Sequence, residues 1–193
     1  MIEAFFPTLI YAEKLKDFEH SNDAYIRRLY ELKQTIPRHE AWNCDTYASY
    51  TKHDLRTESL FASLFSVITT HVNDFAKVYG VDKPNAKMTE AWFNVAQPGN
   101  FQEFHMHSSS HFSAVYYVKT PPNCGNIIFK SFEADTDMFR LRTDIEVLAA
   151  WKTVFHVPEM TKLVIVRSNL QHMVAKNLSD DDRISIAMNF VIE

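Results

Sequence analysis

Residues 105–119 read HMHSSSHFSAVYYVK, which places a group of three histidines directly before a run of β-forming residues. Within Phe112–Lys119, β-branched and aromatic residues predominate, so we predict a strand. Side chains of a strand alternate between its two faces, so Ser113 and Tyr117 share one face. The stretch therefore predicts a strand with polar groups on one face and a histidine cluster directly before it.

Comparable short runs recur from residue 88 to the end of the sequence. Turn residues separate them, among them Pro98-Gly99 and Pro121-Pro122. Short strands at this spacing are typical of an antiparallel sandwich or barrel. The predicted strands are Ala91–Val95, Phe112–Lys119, Asn126–Phe132, Val154–Val157, Lys162–Arg167, Met173–Lys176 and Ile184–Ile192.

The residues before position 88 have a helical pattern. Apolar side chains recur every three or four residues in segments 21–36 and 57–80, which indicates two amphipathic helices packed against a sheet. Residues 5–11 fit an edge strand. We therefore predict one mainly β domain with N-terminal helices, spanning 1–193. In it, residues 1–87 form a helical support and an edge strand, and residues 88–193 form the β core.

The composition excludes several classes of protein. An apolar share of 46% is enough for a sizeable core, so the chain is not intrinsically disordered. The 20 Lys and Arg and 24 Asp and Glu give a net charge of −4 without a basic run, which argues against a nucleic-acid duplex as partner. Three glycines are too few for a glycine-rich phosphate loop.

The sequence also argues against a membrane or secreted protein. No apolar stretch approaches the roughly 18 residues of a membrane span. The opening residues, MIEAFFP, lack the pattern of a signal peptide. Cys44 and Cys124 are isolated and lack CxxC spacing. We therefore expect a reducing, cytoplasmic location.

Three histidines are candidates for a metal site. His105 and His107 form a His-x-His pair, whose imidazoles project to the same side of an extended chain. His172 opens a later predicted strand and supplies a third candidate. Three protein ligands with open positions are typical of a catalytic metal site. The alternative is that these histidines lie on the surface or are hydrogen-bonded within the core.

Arg183 begins a run in which polar and apolar residues alternate. The alternation places Arg183 and Ser185 on one face together with Ala187 and Asn189. A cation inside a barrel needs a partner, because an unpaired buried charge is costly. A small dicarboxylate could bridge a metal and this guanidinium. The alternative is an ion pair between Arg183 and the acidic run Asp180–Asp182.

The hydroxyls of Ser113 and Tyr117 lie on one face of their predicted strand. Inside a barrel both need hydrogen-bond partners. A carboxylate ligand would satisfy them, and so would groups on the neighbouring strands. The pattern fits both arrangements equally.

In this order the motifs resemble the Fe(II)/2-oxoglutarate-dependent oxygenases common in marine bacteria and their phages, relatives of the prolyl-hydroxylase group. The resemblance covers residues 88–193. Its most specific part is the ordered set His-x-His, Ser-x-x-x-Tyr, His and Arg-x-Ser. If the gene belongs to a phage, the expected location is the host cytoplasm. The matching segments are Trp92–Val95, His105–His107, Ser113–Val118, Gly125–Phe129, His172–Val174 and Arg183–Phe190.

The resemblance implies a double-stranded β-helix, or jelly roll, that is buttressed by the two helices and holds Fe(II) at its open end. His105, His107 and His172 would be the metal ligands. In most of the wider superfamily an Asp or Glu stands two positions after the first histidine, whereas this sequence has His107 there. Glu103 or His111 could replace His107 as the second ligand.

The resemblance also implies an enzyme that couples oxidative decarboxylation of 2-oxoglutarate to hydroxylation of a substrate by O2. Arg183 and Ser185 would bind the distal carboxylate of 2-oxoglutarate. Tyr117 and Ser113 would complete that pocket, and Asn94 would face its metal-proximal end. The primary substrate would be a peptidyl residue or a small metabolite.

Two other functions fit part of the pattern. Gly99 and the His-x-His pair match the opening of a cupin signature, which makes a cupin metalloenzyme without 2-oxoglutarate one alternative. The other is a non-enzymatic, phage-associated jelly-roll binding module. In each case residues 39–54 and 133–150 are predicted to shape a binding pocket, because binding residues concentrate on loops. The sequence favours no oligomeric state.

Overall fold

The computed structural model describes residues 7–40, 44–135 and 151–193. Within these ranges the chain forms two α-helices, α1 (Asn22–Thr35) and α2 (Ala62–Val78). Three short 3-10 helices lie at Lys16–Ser21, Leu55–Thr57 and Ser59–Phe61. The strands are β1 (Ile10–Lys14), β2 (Tyr47–Ala48), β3 (Ala86–Ala96), β4 (Gln102–His105), β5 (Phe112–Lys119), β6 (Ile127–Lys130), β7 (Thr153–His156), β8 (Lys162–Arg167), β9 (His172–Val174) and β10 (Arg183–Ile192).

The strands of the described residues form two sheets. The major sheet has the order β1-β8-β5-β10-β3-β2, and the minor sheet has the order β4-β9-β6-β7. All strand pairs are antiparallel. Two facing antiparallel sheets with this crossing order make a jelly roll. The predicted fold class, mainly β with two N-terminal helices and a double-stranded β-helix core, is confirmed.

The two helices cover the outer face of the major sheet. Leu64, Ile68 and Val72 of α2 are fully buried and share one apolar cluster with Phe93 of β3 and Ile186 of β10. Burial of a side chain of this size contributes about 1.5–3 kcal/mol. The helices therefore stabilise the major sheet from outside and leave its inner face for other contacts.

The first helix lies where the sequence predicts it, whereas the second begins later. α2 starts at Ala62, and the 3-10 helices Leu55–Thr57 and Ser59–Phe61 precede it. The Asp54 side chain accepts a hydrogen bond from the Arg56 backbone N–H at 3.0 Å and caps the 3-10 helix Leu55–Thr57. Gly80 follows α2 with a φ of +84°, a conformation that favours glycine.

Several observed strands differ from the predicted ones at their ends. The edge strand expected at residues 5–11 lies at Ile10–Lys14, where β1 pairs with β8. The short strands β2 and β4 carry no predicted pattern. The segment 133–150, which is predicted to shape a binding pocket, falls outside the described residues from position 136 onward. Neither described helix is long and apolar enough to cross a membrane.

The central strand β10 separates the core from an internal cavity. It lies between β5 and β3, and its side chains alternate as predicted. One set packs beneath the helices and consists of Ile184, Ile186, Met188 and Phe190. The other set faces the space between the two sheets and consists of Arg183, Ser185, Ala187 and Asn189.

Candidate active site

Three histidines of the minor sheet and its following loop converge on one point. His105 ends β4 and is paired with His172, the first residue of β9. His107 is fixed two residues further on, where its backbone N–H donates to the carbonyl of Ser168 at 2.8 Å. One potential ligand atom from each ring lies within 4.8 Å of the other two. This spacing allows the three imidazoles to bind one metal ion.

The surroundings keep these imidazoles neutral. Burial lowers the pKa of His107 to about 4 and that of His172 to about 3, and the neighbouring His105 adds to both effects. The Nδ1 atoms of His105 and His172 lie 2.8 and 2.9 Å from the carbonyls of Glu103 and Leu170. A carbonyl only accepts, so Nδ1 carries the proton and Nε2 keeps its lone pair. Neutral imidazole is the form that binds metals.

The other candidates for the second ligand lie outside this cluster. Within residues 7–40, 44–135 and 151–193, the three histidines are the one group of potential ligands close enough to share an ion, and Glu103 is not part of it. His111 is exposed, and its Nδ1 accepts a hydrogen bond from the backbone N–H of Ile192 at 2.8 Å. The geometry therefore favours a set of three imidazoles.

Arg183 is a buried cation without an acidic partner among the described residues. The side chain is 3% exposed. One terminal nitrogen donates to the carbonyls of Cys124 and Gly125 at 3.3 and 3.2 Å, and Nε has no described partner. Burial lowers the pKa of the guanidinium. Such a group is a strong site for an anion.

The acidic run before β10 does not neutralise Arg183. Asp181 forms an ion pair with Lys119 at 2.7 Å, and Asp182 accepts a hydrogen bond from the Tyr30 hydroxyl at 3.0 Å. The ion pair that the sequence left open as an alternative is therefore not formed with these two residues.

A close contact between two backbone segments fixes the carbonyls of Cys124 and Gly125, which accept hydrogen bonds from Arg183. Gly125 has a φ of +93°, and a Cβ atom at this position would lie 2.1 Å from the carbonyl oxygen of Ala175. Only glycine fits this contact. The loop before β6 therefore packs closely against the end of β9, which places its carbonyls within hydrogen-bond distance of the guanidinium.

Polar side chains of the major sheet surround Arg183. Ser185 of β10 is paired with Tyr117 of β5 on one side and with Asn94 of β3 on the other. The side chains of these three residues make no hydrogen bond with another described residue, and all of them line the cavity with Arg183. Burial raises the pKa of Tyr117, so its hydroxyl stays protonated and can donate.

Ser113 lies at the other end of the cavity. Its hydroxyl is 2.8 Å from that of Ser168 and donates to the side-chain oxygen of Asn189 at 2.8 Å. Ser113 and Tyr117 are four residues apart on β5, a distance of about 13 Å along the strand. The structure therefore brings Tyr117, but not Ser113, next to Arg183.

The cavity between the sheets has a volume of about 270 Å³. The histidines and Arg183 line the same space, and no carboxylate of the described residues does so. A neutral ligand set beside an unpaired guanidinium fits a metal together with a small dianion. These residues thus fit Fe(II) and 2-oxoglutarate by the chemistry of their donor atoms.

Some cavity residues carry no signal in the sequence. Gln102 is buried, its side-chain oxygen accepts from the Cys44 thiol at 3.4 Å, and its amide nitrogen has no described partner. Thr46 and Tyr50 reach the cavity from the segment after β1 and α1. Only the fold brings these residues to the histidines. The described part of residues 39–54 does shape the pocket, as predicted.

The sequence matches the model of the 2OG-Fe(II) oxygenase family over residues 90–189. No protein in the curated set matches the chain. Several solved structures share its fold. A prolyl-4-hydroxylase of Pseudomonas putida is 14% identical, covers 95% of this chain and 92% of its own, and has a TM-score of 0.62.

Two further solved structures are similar over most of their length. A prolyl hydroxylase of Trichoplax adhaerens, solved with a peptide fragment of hypoxia inducible factor, is 12% identical over 94% of this chain and 83% of its own, with a TM-score of 0.68. HygX of Streptomyces hygroscopicus, solved with nickel, 2-oxoglutarate and hygromycin B, is 11% identical over 95% and 83%, with a TM-score of 0.63. At these identities the similarity establishes the fold.

The family match covers more than half of the chain and includes all three histidines and Arg183. It decides against a cupin without 2-oxoglutarate and against a non-enzymatic module. The chain belongs to the 2OG-Fe(II) oxygenase family and is an oxidoreductase that uses Fe(II), 2-oxoglutarate and O2.

Proposed function

We propose that His105, His107 and His172 are the ligands that hold Fe(II) in this oxygenase. The observation that carries the proposal is the convergence of their ligand atoms within 4.8 Å in a buried cavity. Neutral imidazoles suit Fe(II), and three protein ligands leave positions open for the reactants. His107 then takes the place that an acidic residue has in most of the superfamily.

Arg183, Ser185, Tyr117 and Asn94 hold 2-oxoglutarate in this proposal. The guanidinium binds the distal carboxylate, because it is buried and has no described acidic partner. The hydroxyls of Ser185 and Tyr117 donate to the same carboxylate, and Asn94 lies beside them. Ser113 is left out of this set because its hydroxyl is bonded to Ser168 and Asn189.

The protein contributes binding, orientation and exclusion of water. When bound, the iron supplies the oxidative chemistry in which 2-oxoglutarate and O2 yield succinate, CO2 and a hydroxylated substrate. The apolar side chains Val115, Phe129, Val164 and Val166 line part of the cavity, and a bound co-substrate would displace water from it. In a dry site the ion pair between Arg183 and a carboxylate is stronger than in water. The co-substrate is thereby fixed in one orientation relative to the histidines.

The primary substrate in this proposal is a peptidyl residue or a small metabolite. The Trichoplax enzyme is solved with a peptide and HygX with hygromycin B. The same fold therefore accommodates both classes. A cytoplasmic location is supported by Cys44 and Cys124, which are buried and free.

Anaerobic titration tests the proposal. Addition of Fe(II) and 2-oxoglutarate is expected to produce a weak visible charge-transfer band. His107→Ala is expected to weaken Fe(II) binding by about tenfold or more, because one of three ligands is lost. The control His20→Ala removes an exposed histidine of the 3-10 helix Lys16–Ser21, which does not line the cavity, and is expected to leave the titration unchanged. A wild-type protein without the band at saturation would contradict the proposal, as would His107→Ala with unchanged Fe(II) binding.

A further inference from the structure

A second cavity adjoins the one that contains the histidines, and the chemistry proposed above does not use it. It has a volume of about 260 Å³. Tyr50 and Trp92 line both cavities, and their ring centroids are 4.9 Å apart. The Trp92 ring is also 5.6 Å from that of His107. A molecule that lies along this pair of rings would extend from the second cavity to the histidine cluster.

Most charged groups around the second cavity are already paired. The Arg56 guanidinium makes a bidentate contact with Asp54, with N···O distances of 2.6 and 3.0 Å. It also donates to the carbonyl of Met88 at 2.8 Å. His53 lies 3.0 Å from the carboxylate of Glu58. Asp54 and Glu58 are therefore already engaged by neighbouring side chains.

Glu90 differs because its partners are neutral. Its carboxylate accepts hydrogen bonds from the Asn189 amide at 2.6 Å and from the Tyr50 hydroxyl at 3.3 Å. It forms no ion pair with a described residue, although Arg56 attracts it at longer range. Lys52 is an exposed cation of the same lining. Glu90 is thus a carboxylate that two neutral donors hold in position.

We propose that Glu90, Tyr50 and Trp92 form a subsite for a positively charged group of the primary substrate, an ammonium or a guanidinium. The carboxylate supplies an ion pair, and the faces of the two rings attract a cation through their quadrupoles. This inference rests on the proposed function, because the substrate is taken to react beside the proposed metal ligands. No carboxylate of the described residues lines the cavity that contains the histidines. Glu90 is therefore the group that recognises positive charge.

The register of the sheet gives the length of the substrate. Glu90 is opposite Asn189, and Trp92 is opposite Ala187, so the two residues are separated by about 7 Å along β3. Trp92 in turn lies beside His107. The charge and the reacting carbon are therefore about 7 Å apart, a span of several bonds. A lysine or arginine side chain, free or in a peptide, has this length.

Binding of matched probes tests the subsite. Isothermal titration calorimetry would compare Nα-acetyl-lysine amide with Nα-acetyl-norleucine amide on protein loaded with Ni(II) and 2-oxoglutarate. The cationic probe is expected to bind about tenfold more tightly, and Glu90→Gln is expected to abolish this preference. Asp74→Asn changes the net charge equally on α2, where Asp74 pairs with Lys77, and keeps the preference. A pentapeptide with a central lysine, compared with the free amide, distinguishes the two sources of the cation.

Equal affinity of both probes for the wild-type protein would overturn the subsite, and so would a preference retained in Glu90→Gln. Glu90→Asp keeps the charge on a shorter side chain and is expected to retain part of the preference, which gives a second comparison if Glu90→Gln does not fold. The absorbance titration of the wild-type protein separates the two proposals. A missing charge-transfer band contradicts the oxygenase site, whereas equal probe binding contradicts the subsite alone.

Discussion

The two faces of β10 have opposite compositions although they belong to the same ten residues. The outer face carries Ile184, Ile186, Met188 and Phe190, which are all fully buried beneath the helices. The inner face carries Arg183 and Ser185, whose polar atoms find few or no partners among the described residues. One strand therefore has a face that stabilises the fold and a face that binds ligands.

The comparison shows how a jelly roll separates stability from activity. Apolar burial on the outer face holds the sheet in place without any ligand. The inner face contains a buried cation and free donors, which cost free energy until an anion binds. Substitutions on the two faces should therefore change different measured quantities, even at adjacent positions.

The two largest effects are of similar size, and the one on stability is expected on the outer face. Ile186→Ala removes a fully buried side chain and leaves a space in the core, which should lower the free energy of unfolding by about 2–5 kcal/mol. Chemical denaturation measures this loss. The affinity of the folded protein for 2-oxoglutarate should stay the same. A variant with normal stability and weak 2-oxoglutarate binding would invalidate the division between the faces.

The same experiment tests the predicted single domain of residues 1–193. We propose that the helical segment and the jelly roll unfold together, because α2 and the major sheet share one apolar cluster. The wild-type protein is then expected to show one transition by circular dichroism and by fluorescence. Two separate transitions would contradict it.

The next effect concerns the inner face. Arg183→Gln should weaken 2-oxoglutarate binding by about 2–5 kcal/mol, because the distal carboxylate loses its ion pair. The free energy of unfolding should change little or rise, since a buried charge without an acidic partner is removed. Anaerobic absorbance titration gives the first quantity and denaturation the second. If Fe(II) and 2-oxoglutarate affinities fell equally, Arg183 would instead have a role in folding.

The smallest effect is expected for Ser185, the inward-facing neighbour of Ile186. Ser185→Ala should weaken 2-oxoglutarate binding by about 1.5–3 kcal/mol through loss of one hydrogen bond to a charged group. Its hydroxyl has no described partner, so stability should stay within about 0.5 kcal/mol of the wild type. Calorimetry should show weaker 2-oxoglutarate binding for Ser185→Ala but not for Ile186→Ala. Denaturation should show lower stability for Ile186→Ala but not for Ser185→Ala. A larger loss of stability for Ser185→Ala than for Ile186→Ala would reverse it.

Much of the fold could be predicted because its signals are local. The alternation in Phe112–Lys119 and Lys162–Arg167 gave strands with the observed bounds. The helical periodicity also located α1 closely. The strands β2 and β4 were missed because one has two residues and the other is largely polar. Pairing with distant partners, and not intrinsic propensity, makes them strands.

The candidate site shows the same limit. The inward direction of Arg183 and Ser185 follows from alternation alone. The family resemblance assigned Ser113 to the 2-oxoglutarate pocket together with Tyr117, which lies on the same face, whereas in the structure the Ser113 hydroxyl is hydrogen-bonded to Ser168 and Asn189. A shared face does not specify the position along the strand relative to other elements.

The sequence by itself determined which side chains point inward and which residue types are available for chemistry. Both follow from the two-residue repeat of a strand, a property of neighbouring residues. Only the tertiary structure decided that His105 and His107 meet His172, and that Glu90 faces a cavity beside Trp92. Such contacts join residues far apart in the chain, and their geometry depends on the register and packing of whole sheets.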